Sequence, residues 1–137
     1  MTRLLARLRR DRSGVTAIEF AILAPLLVFV IIGIAQMGAL FYGHAALRNA
    51  VSEGARFATI HPRPTADQVI ARINASRPSS AAGTFGTPTV TYTQNATTGY
   101  WRADVTMTYS ATLDFILMKM PITLSYSRQA NVYAPAS

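Results

Sequence analysis

Residues 20–42 read FAILAPLLVFVIIGIAQMGALFY and carry no formally charged side chain. At about 1.5 Å of rise per residue, a helix of this length crosses the roughly 30 Å hydrocarbon core of a bilayer. Half of the 137 residues are hydrophobic and only 14% are charged, and this run holds much of that apolar excess. The run therefore predicts a membrane-spanning helix and argues against a wholly soluble globular protein.

The residues before the span are strongly basic. Five arginines stand among the first twelve residues, with Asp11 as the only acidic residue there, in a chain of net charge +7. Such a basic balance can indicate a nucleic-acid partner. Because the arginines directly precede the apolar run and the other basic residues are scattered, the positive-inside rule explains them better. We therefore expect a cytoplasmic N-terminus, contact with membrane lipid and no nucleic-acid partner.

Helical spacing continues beyond the span. Apolar residues recur on one face at steps of four, four and three: Leu47, Val51, Ala55 and Ala58. This pattern predicts one helix over about residues 16–59, with residues 15–42 as the transmembrane and assembly helix and residues 43–60 as its soluble continuation. Pro62 and Pro64 would end it. Thr65 and Gln68 form a plausible capping box, which predicts a short helix to about Ser76.

The last third of the chain alternates apolar and polar residues, as half-buried strands do. Three such segments, at residues 90–92, 101–109 and 122–126, carry Thr- and Ser-rich outer faces. We expect a hairpin turn at residues 94–99, a loop at 77–86, and an apolar connection at 114–121. In that connection Pro121 should exclude an uninterrupted central strand.

The predicted fold class is therefore α+β. A long N-terminal helix, spanning the membrane in its first half, is followed by a small domain over residues 61–137. That domain contains a short helix and a three-stranded antiparallel sheet.

Glu19 lies just inside the apolar segment, where an acidic side chain is costly unless it is paired. If the chain were cut after Gly14, the new amine of Val15 would lie four residues before Glu19. Cation and carboxylate could then meet on one helix face, or across to a neighbouring copy. The cut would also remove the arginine cluster. Alternatively, the chain is uncut, and Glu19 lies in the headgroup layer and pairs with Arg12.

Residues 13–20, SGVTAIEF, resemble the prepilin leader junction of tight-adherence (Tad/Flp) type IV pilus systems. In those leaders a prepilin peptidase cleaves after Gly, with Glu fifth and an aromatic residue sixth in the mature chain. The first 60 residues more closely resemble TadE-like minor pilins, or pseudopilins. The matching residues are Gly14, Glu19-Phe20-Ala21, Pro25-Leu26-Leu27, Ala50 and the 53–56 segment.

This resemblance implies a pilin-like fold, a basic leader at residues 1–14, cleavage between Gly14 and Val15, and an assembly role for Glu19 beside Phe20. It also implies partners: the prepilin peptidase, other major and minor pilins, and the inner-membrane assembly platform. The major pilin of such systems is much shorter and has no folded tail. The chain is therefore expected to be a minor, initiating or tip component.

Small residues recur along the helix, mostly four apart: Ala35, Ala39, Gly43, Ala46, Ala50, Gly54 and Ala58. Such a stripe lets another helix backbone approach closely, which would suit packing in a bundle of pilins. Alanine and glycine are also common in any membrane helix, so the stripe fits both interpretations.

Other function classes have little support in the sequence. The chain has no cysteine, which excludes disulfides and thiolate chemistry, and His44 and His61 lack metal-ligand spacing. With no catalytic motif, we expect neither an enzyme nor a cofactor or metal.

Two readings remain. The first is a structural pilus subunit of the bacterial inner membrane with a periplasmic domain, which passes into a pilus that supports surface adherence. The alternative is an uncleaved single-pass anchor with a periplasmic partner-binding domain. A secretory signal is disfavoured, because the apolar run is too long and no convincing A-x-A site follows it.

Overall fold

A computed structural model of the chain describes residues 13–78, 82–115 and 118–132, with side-chain environments given from residue 16 onward. Residues 1–12 of the predicted basic leader, which was expected over residues 1–14, lie outside this range. The elements in chain order are α1 (Ser13–Ala58), α2 (Ala66–Ser76), β1 (Gly83–Phe85), β2 (Thr89–Gln94), β3 (Trp101–Phe115) and β4 (Met118–Val132). The predicted α+β class is confirmed, with four strands where three were expected.

The chain divides into two compact units, Met1–Ala35 and Gln36–Ser137. Helix α1 runs through both without a break and contains Pro25. Within residues 16–35 nearly every side chain is exposed, including large apolar ones such as Ile22 and Ile34. By length and composition, α1 could cross a membrane. The second unit begins at Gln36, so it includes the last third of the predicted span.

The short helix α2 begins at the predicted capping box, which is confirmed. The backbone N–H of Gln68 donates to Oγ1 of Thr65 at 3.3 Å, and the backbone N–H of Thr65 donates to Oε1 of Gln68 at 2.9 Å. These two bonds satisfy backbone donors that a helix start otherwise leaves unpaired. Val69 and Ile73, four residues apart on one helix face, are fully buried.

The sheet is antiparallel and built around β3. Strand β4 pairs with β3 from Trp101↔Val132 to Phe115↔Met118. On its other side, β3 pairs with β2 at its start and with β1 further along. The loop expected at residues 77–86 was wrong in part, because β1 lies there. Three residues are too few for an alternating pattern to mark a strand.

The predicted turn at residues 94–99 is confirmed. The backbone N–H of Asn95 donates to the carbonyl of Tyr100, and that of Gly99 donates to the carbonyl of Asn95. Gly99 has a φ of 70°, which glycine adopts without steric cost.

The apolar connection expected at residues 114–121 was wrong. Asp114 and Phe115 end β3, and β4 begins at Met118 and includes Pro121, which lies opposite Thr112. Among the described strands, β4 pairs with β3 alone, so it is an edge strand. Proline has no backbone N–H to donate to a neighbouring strand. On an edge strand that position can face away from the sheet, so Pro121 does not break β4.

One core joins the sheet to both helices within the second unit. Alternate residues of β3 are buried on one face: Ala103, Val105, Met107, Tyr109, Ala111 and Leu113. Buried residues of α1 and α2 complete the same cluster: Leu40, Leu47, Ala50, Val51, Ala55, Ala58, Val69 and Ile73. The prediction that one face of the helix is apolar is therefore confirmed, since the residues of that face are buried in the core: Leu47, Val51, Ala55 and Ala58. The opposite face of the sheet carries threonine and serine, as the alternation predicted.

In this core, the backbone of α1 approaches the ring of Tyr109 closely. A Cβ atom added at Gly43 would overlap Cζ and Cε1 of Tyr109, whose side chain is fully buried. Because interiors are close-packed, the ring has no free volume into which it could withdraw. The glycine is therefore required for contact, since any larger residue would push the helix from the sheet.

We predict that Gly43→Ala destabilises the domain by about 1–3 kcal/mol, the usual cost of overpacking a core. The measurement is urea unfolding of the full chain in detergent, followed by Trp101 fluorescence. Gly38→Ala is the matched control: no atom lies within 4 Å of a Cβ there, so this change should be neutral or stabilise by up to about 1 kcal/mol. Equal unfolding midpoints for Gly43→Ala and wild type would contradict the packing account.

Candidate functional site: the N-terminal helix and its attachment to the domain

The predicted processing and pairing residues lie at the start of α1. The helix begins at Ser13, so the bond between Gly14 and Val15 falls within its first turn, although the side-chain environments there lie outside the described residues. Glu19 is exposed, and no ion pair joins it to another described residue. Phe20 is 70% exposed. The first helical turns thus present one carboxylate among exposed apolar side chains.

The stripe of small residues divides between two environments. Ala35 is exposed, and Ala39 and Ala46 are half-buried. In contrast, Gly43, Ala50 and Gly54 are buried in the core of the same chain. A Cβ at Gly54 would overlap Cγ1 of Ile73, so this glycine lets α2 approach α1.

The sequence could not separate these two uses of small residues. Close approach by the chain's own strand and by another subunit's helix requires the same residue types at the same spacing. A role in packing between subunits remains a prediction for Ala35, Ala39 and Ala46.

Glu53 links the two helices electrostatically. Its Oε1 lies 2.8 Å from Nη2 of Arg56 and 2.7 Å from Nη2 of Arg72, and its side chain is only 22% exposed. The Arg56 pair follows from a three-residue spacing on one helix, whereas Arg72 is nineteen residues away on α2. Hydrogen bonds from Arg56 and Arg72 lower the pKa of Glu53 to about 2.

Gln36 attaches α1 to the far end of the sheet. Its side-chain amide donates to the carbonyl of Asp114, and its side-chain oxygen accepts from the N–H of Asp114. One side chain therefore pairs with a strand backbone through both a donor and an acceptor. No sequence pattern marked this contact, because the two residues are 78 positions apart.

A family model described as TadE-like protein matches residues 14–56. These 43 residues, about a third of the chain, are similar to TadE-like proteins. The match begins at Gly14, ends at Arg56 and lies entirely within α1. It confirms the resemblance seen in the sequence and is consistent with a protein of a Tad pilus system. No curated protein and no solved structure matches the chain.

The TadE-like segment supplies much of the machinery that holds the domain together. Three consecutive residues that carried part of the resemblance make contacts within the chain. Glu53 forms an ion pair with Arg72, Gly54 leaves room for the side chain of Ile73, and Ala55 is buried in the core. Part of this motif therefore has a structural role within one chain.

Aromatic residues of the sheet hold the connection that follows the TadE-like segment. The guanidinium of Arg63 lies 4.2 Å from the ring centroid of Trp101 and 5.2 Å from that of Tyr92. The hydroxyl of Tyr92 donates to the carbonyl of Pro64 at 3.0 Å, and burial raises the pKa of Tyr92. Both rings therefore bind the linker between α1 and α2.

No group of three or more His, Cys, Asp or Glu side chains that could hold a metal ion is present in residues 13–78, 82–115 and 118–132. An open depression beside the β2–β3 turn has a volume of about 650 Å³, and its lining includes Thr93, Asn95, Arg102 and Asn131. These are hydrogen-bonding groups, and Arg102 is paired with Asp104 at 3.1 Å.

We predict that Glu53→Gln reduces the loss of stability in acid. A carboxylate whose folded pKa is depressed stabilises the folded state above its ordinary pKa of about 4.3, and that contribution disappears as the pH falls toward 2. The melting temperature of the wild type should therefore drop more between pH 5 and pH 2 than that of Glu53→Gln.

Asp67→Asn provides the control, because Asp67 makes no ion pair with a described residue. This variant should keep the acid-induced drop caused by Glu53. If the melting temperatures of the wild type and Glu53→Gln fall by the same amount between pH 5 and pH 2, the pairing of Glu53 with the two arginines does not cause the loss of stability in acid.

Proposed function

We propose that the chain is a minor pilin, or pseudopilin, of a Tad/Flp pilus, a structural subunit rather than an enzyme. The main support is the position of the TadE-like match. It begins at Gly14, after which cleavage is expected, and it continues through an exposed apolar helix that carries Glu19 at its fifth position after the cut. In this proposal the subunit contributes to pilus biogenesis and surface adherence.

Processing would occur between Gly14 and Val15. That bond lies near the start of the described part of α1, far along the helix from the buried core residues. A peptidase could therefore unwind it without disturbing the core, which begins at Leu40. Removal of the arginines would also release the charge that holds the N-terminus in the cytoplasm.

Assembly would depend on the charge pair that the cut creates. The amine of Val15 and the carboxylate of Glu19 are four residues apart, a spacing at which side groups meet on one helix face. The same amine could instead reach the Glu19 of a neighbouring subunit. Either pairing lowers the cost of placing a carboxylate in an apolar bundle.

The rest of the intermolecular surface would come from residues 16–35 with Ala39 and Ala46, because most of the later part of α1 is occupied by its own domain. Large exposed apolar side chains such as Ile22 and Leu26 face lipid before assembly and other pilin helices afterwards. The subunit would sit in the inner membrane with its domain in the periplasm, and its partners would be the prepilin peptidase, other pilins and the assembly platform.

We predict that Gly14→Ala blocks processing, because a peptidase pocket that accepts only hydrogen has no room for a methyl group. The intact mass of the protein from membranes that contain the cognate peptidase would report the cut. Ser13→Ala changes the neighbouring residue by a similar amount and should be processed normally.

Wild-type protein that functions with an intact Met1 would overturn the proposal. It would leave the chain as an uncleaved single-pass anchor with a partner-binding domain.

We also predict that Glu19→Ala is cleaved normally but enters pili poorly. The freed amine would then have no carboxylate to neutralise it in the apolar bundle. Glu19→Gln keeps the size and removes the charge, so it should fail to the same extent. Cofractionation of the subunit with sheared pili is the measurement, and Thr16→Ala, an exposed position one turn earlier, is the control. Normal incorporation of both Glu19 variants would count against the charge pair.

A further inference from the structure

The end of the β3–β4 hairpin lies beside a part of α1 that the sequence assigns to the membrane. Gln36 holds Asp114 of β3 through both backbone groups, which sets the position of the strand along the helix. Gln36 precedes Tyr42, the last residue of the apolar run, by six residues, or about 9 Å of helix. The last residues of β3 and the first of β4 are therefore level with the apolar run.

The side chains at this end of the hairpin are apolar and accessible. On the side of the sheet that faces the helices, the side chains become more exposed toward the end of the hairpin. Leu113 is 5% exposed, Met120, which lies opposite it on β4, is 44% exposed, and Met118 is 59% exposed. Met118 and Met120 thus extend the apolar face past the point where the helices cover it. Methionine is flexible and polarisable, so this pair suits an adaptable apolar contact.

The length of α1 places the membrane boundary at this level. Residues 20–35 number sixteen and rise only about 24 Å, which is short of the roughly 30 Å hydrocarbon core. About four more residues are needed, and residues 36–39 already belong to the compact unit. If the span instead starts at Thr16 and includes Glu19, the boundary still falls next to Gln36. In both cases the hairpin end lies at or within the edge of the bilayer.

We propose that this hairpin end is a second membrane contact, in which Met118 and Met120 insert among the acyl chains of the leaflet on the domain's side. Lys119, the only lysine in the chain, lies between them and is 73% exposed, so it can extend to lipid phosphates at the interface. Its pairing with Asp114 at 3.2 Å keeps the insertion free of net charge. This inference rests on the proposed membrane span.

The absence of cysteine from the chain allows a direct test. The full-length chain carrying Met118→Cys is labelled with an environment-sensitive fluorophore and reconstituted at low protein density. The vesicles contain phosphatidylcholine and phosphatidylglycerol. We expect a blue-shifted emission, quenching by lipid with a nitroxide on its acyl chain, and loss of quenching by aqueous iodide.

Two further positions make the outcome decisive. Ser125 lies on the exposed outer face of β4. A fluorophore attached at Ser125→Cys should therefore be quenched by aqueous iodide and not by the nitroxide lipid. Leu27→Cys reports the span itself. If Leu27 is shielded in lipid while Met118 behaves like Ser125, the hairpin contact is refuted and the span stands. If both Leu27 and Met118 are quenched by iodide, the membrane span fails and the inference fails with it.

A third result would identify a different occupant. Shielding of Met118 from both quenchers that disappears as the protein is diluted in lipid would show that a second copy covers the hairpin end. That result would also overturn the lipid assignment.

Discussion

The contact between the backbone of α1 at Gly43 and the buried ring of Tyr109 is the constraint on which the second unit depends. The ring reaches the helix only because residue 43 has no side chain. The same ring packs against Phe85 of β1, with 5.0 Å between ring centroids. Tyr109 therefore joins the helix, the central strand and the short edge strand in one packed contact.

This packing gives α1 two different environments along one continuous helix. Residues 16–35 expose apolar side chains around the whole circumference, which suits lipid or other helices. From Leu40 onward one face of the helix is buried in the sheet domain and the other carries polar groups. The second half of the helix therefore keeps the domain in place.

The domain is also held by interactions between residues far apart in the chain. Glu53 binds Arg72, Arg63 stacks on Trp101, and Gln36 pairs with Asp114. Each joins a helix or a linker to a separate element, and each polar or charged group has its partner at the rim of an apolar core. Such contacts contribute modestly one by one in water, but they restrict how the elements can slide along one another.

The sequence by itself determined the elements whose signals are local. Hydropathy and helical spacing predicted α1, Thr65 and Gln68 predicted the start of α2, and alternation predicted three strands, because these patterns involve residues a few positions apart. Only the tertiary structure decided the use of each surface. It placed Gly43 and Gly54 inside the chain's own core and Pro121 within an edge strand. It also added β1, which is defined by its pairing with β3 and has too few residues for an alternating pattern to mark it.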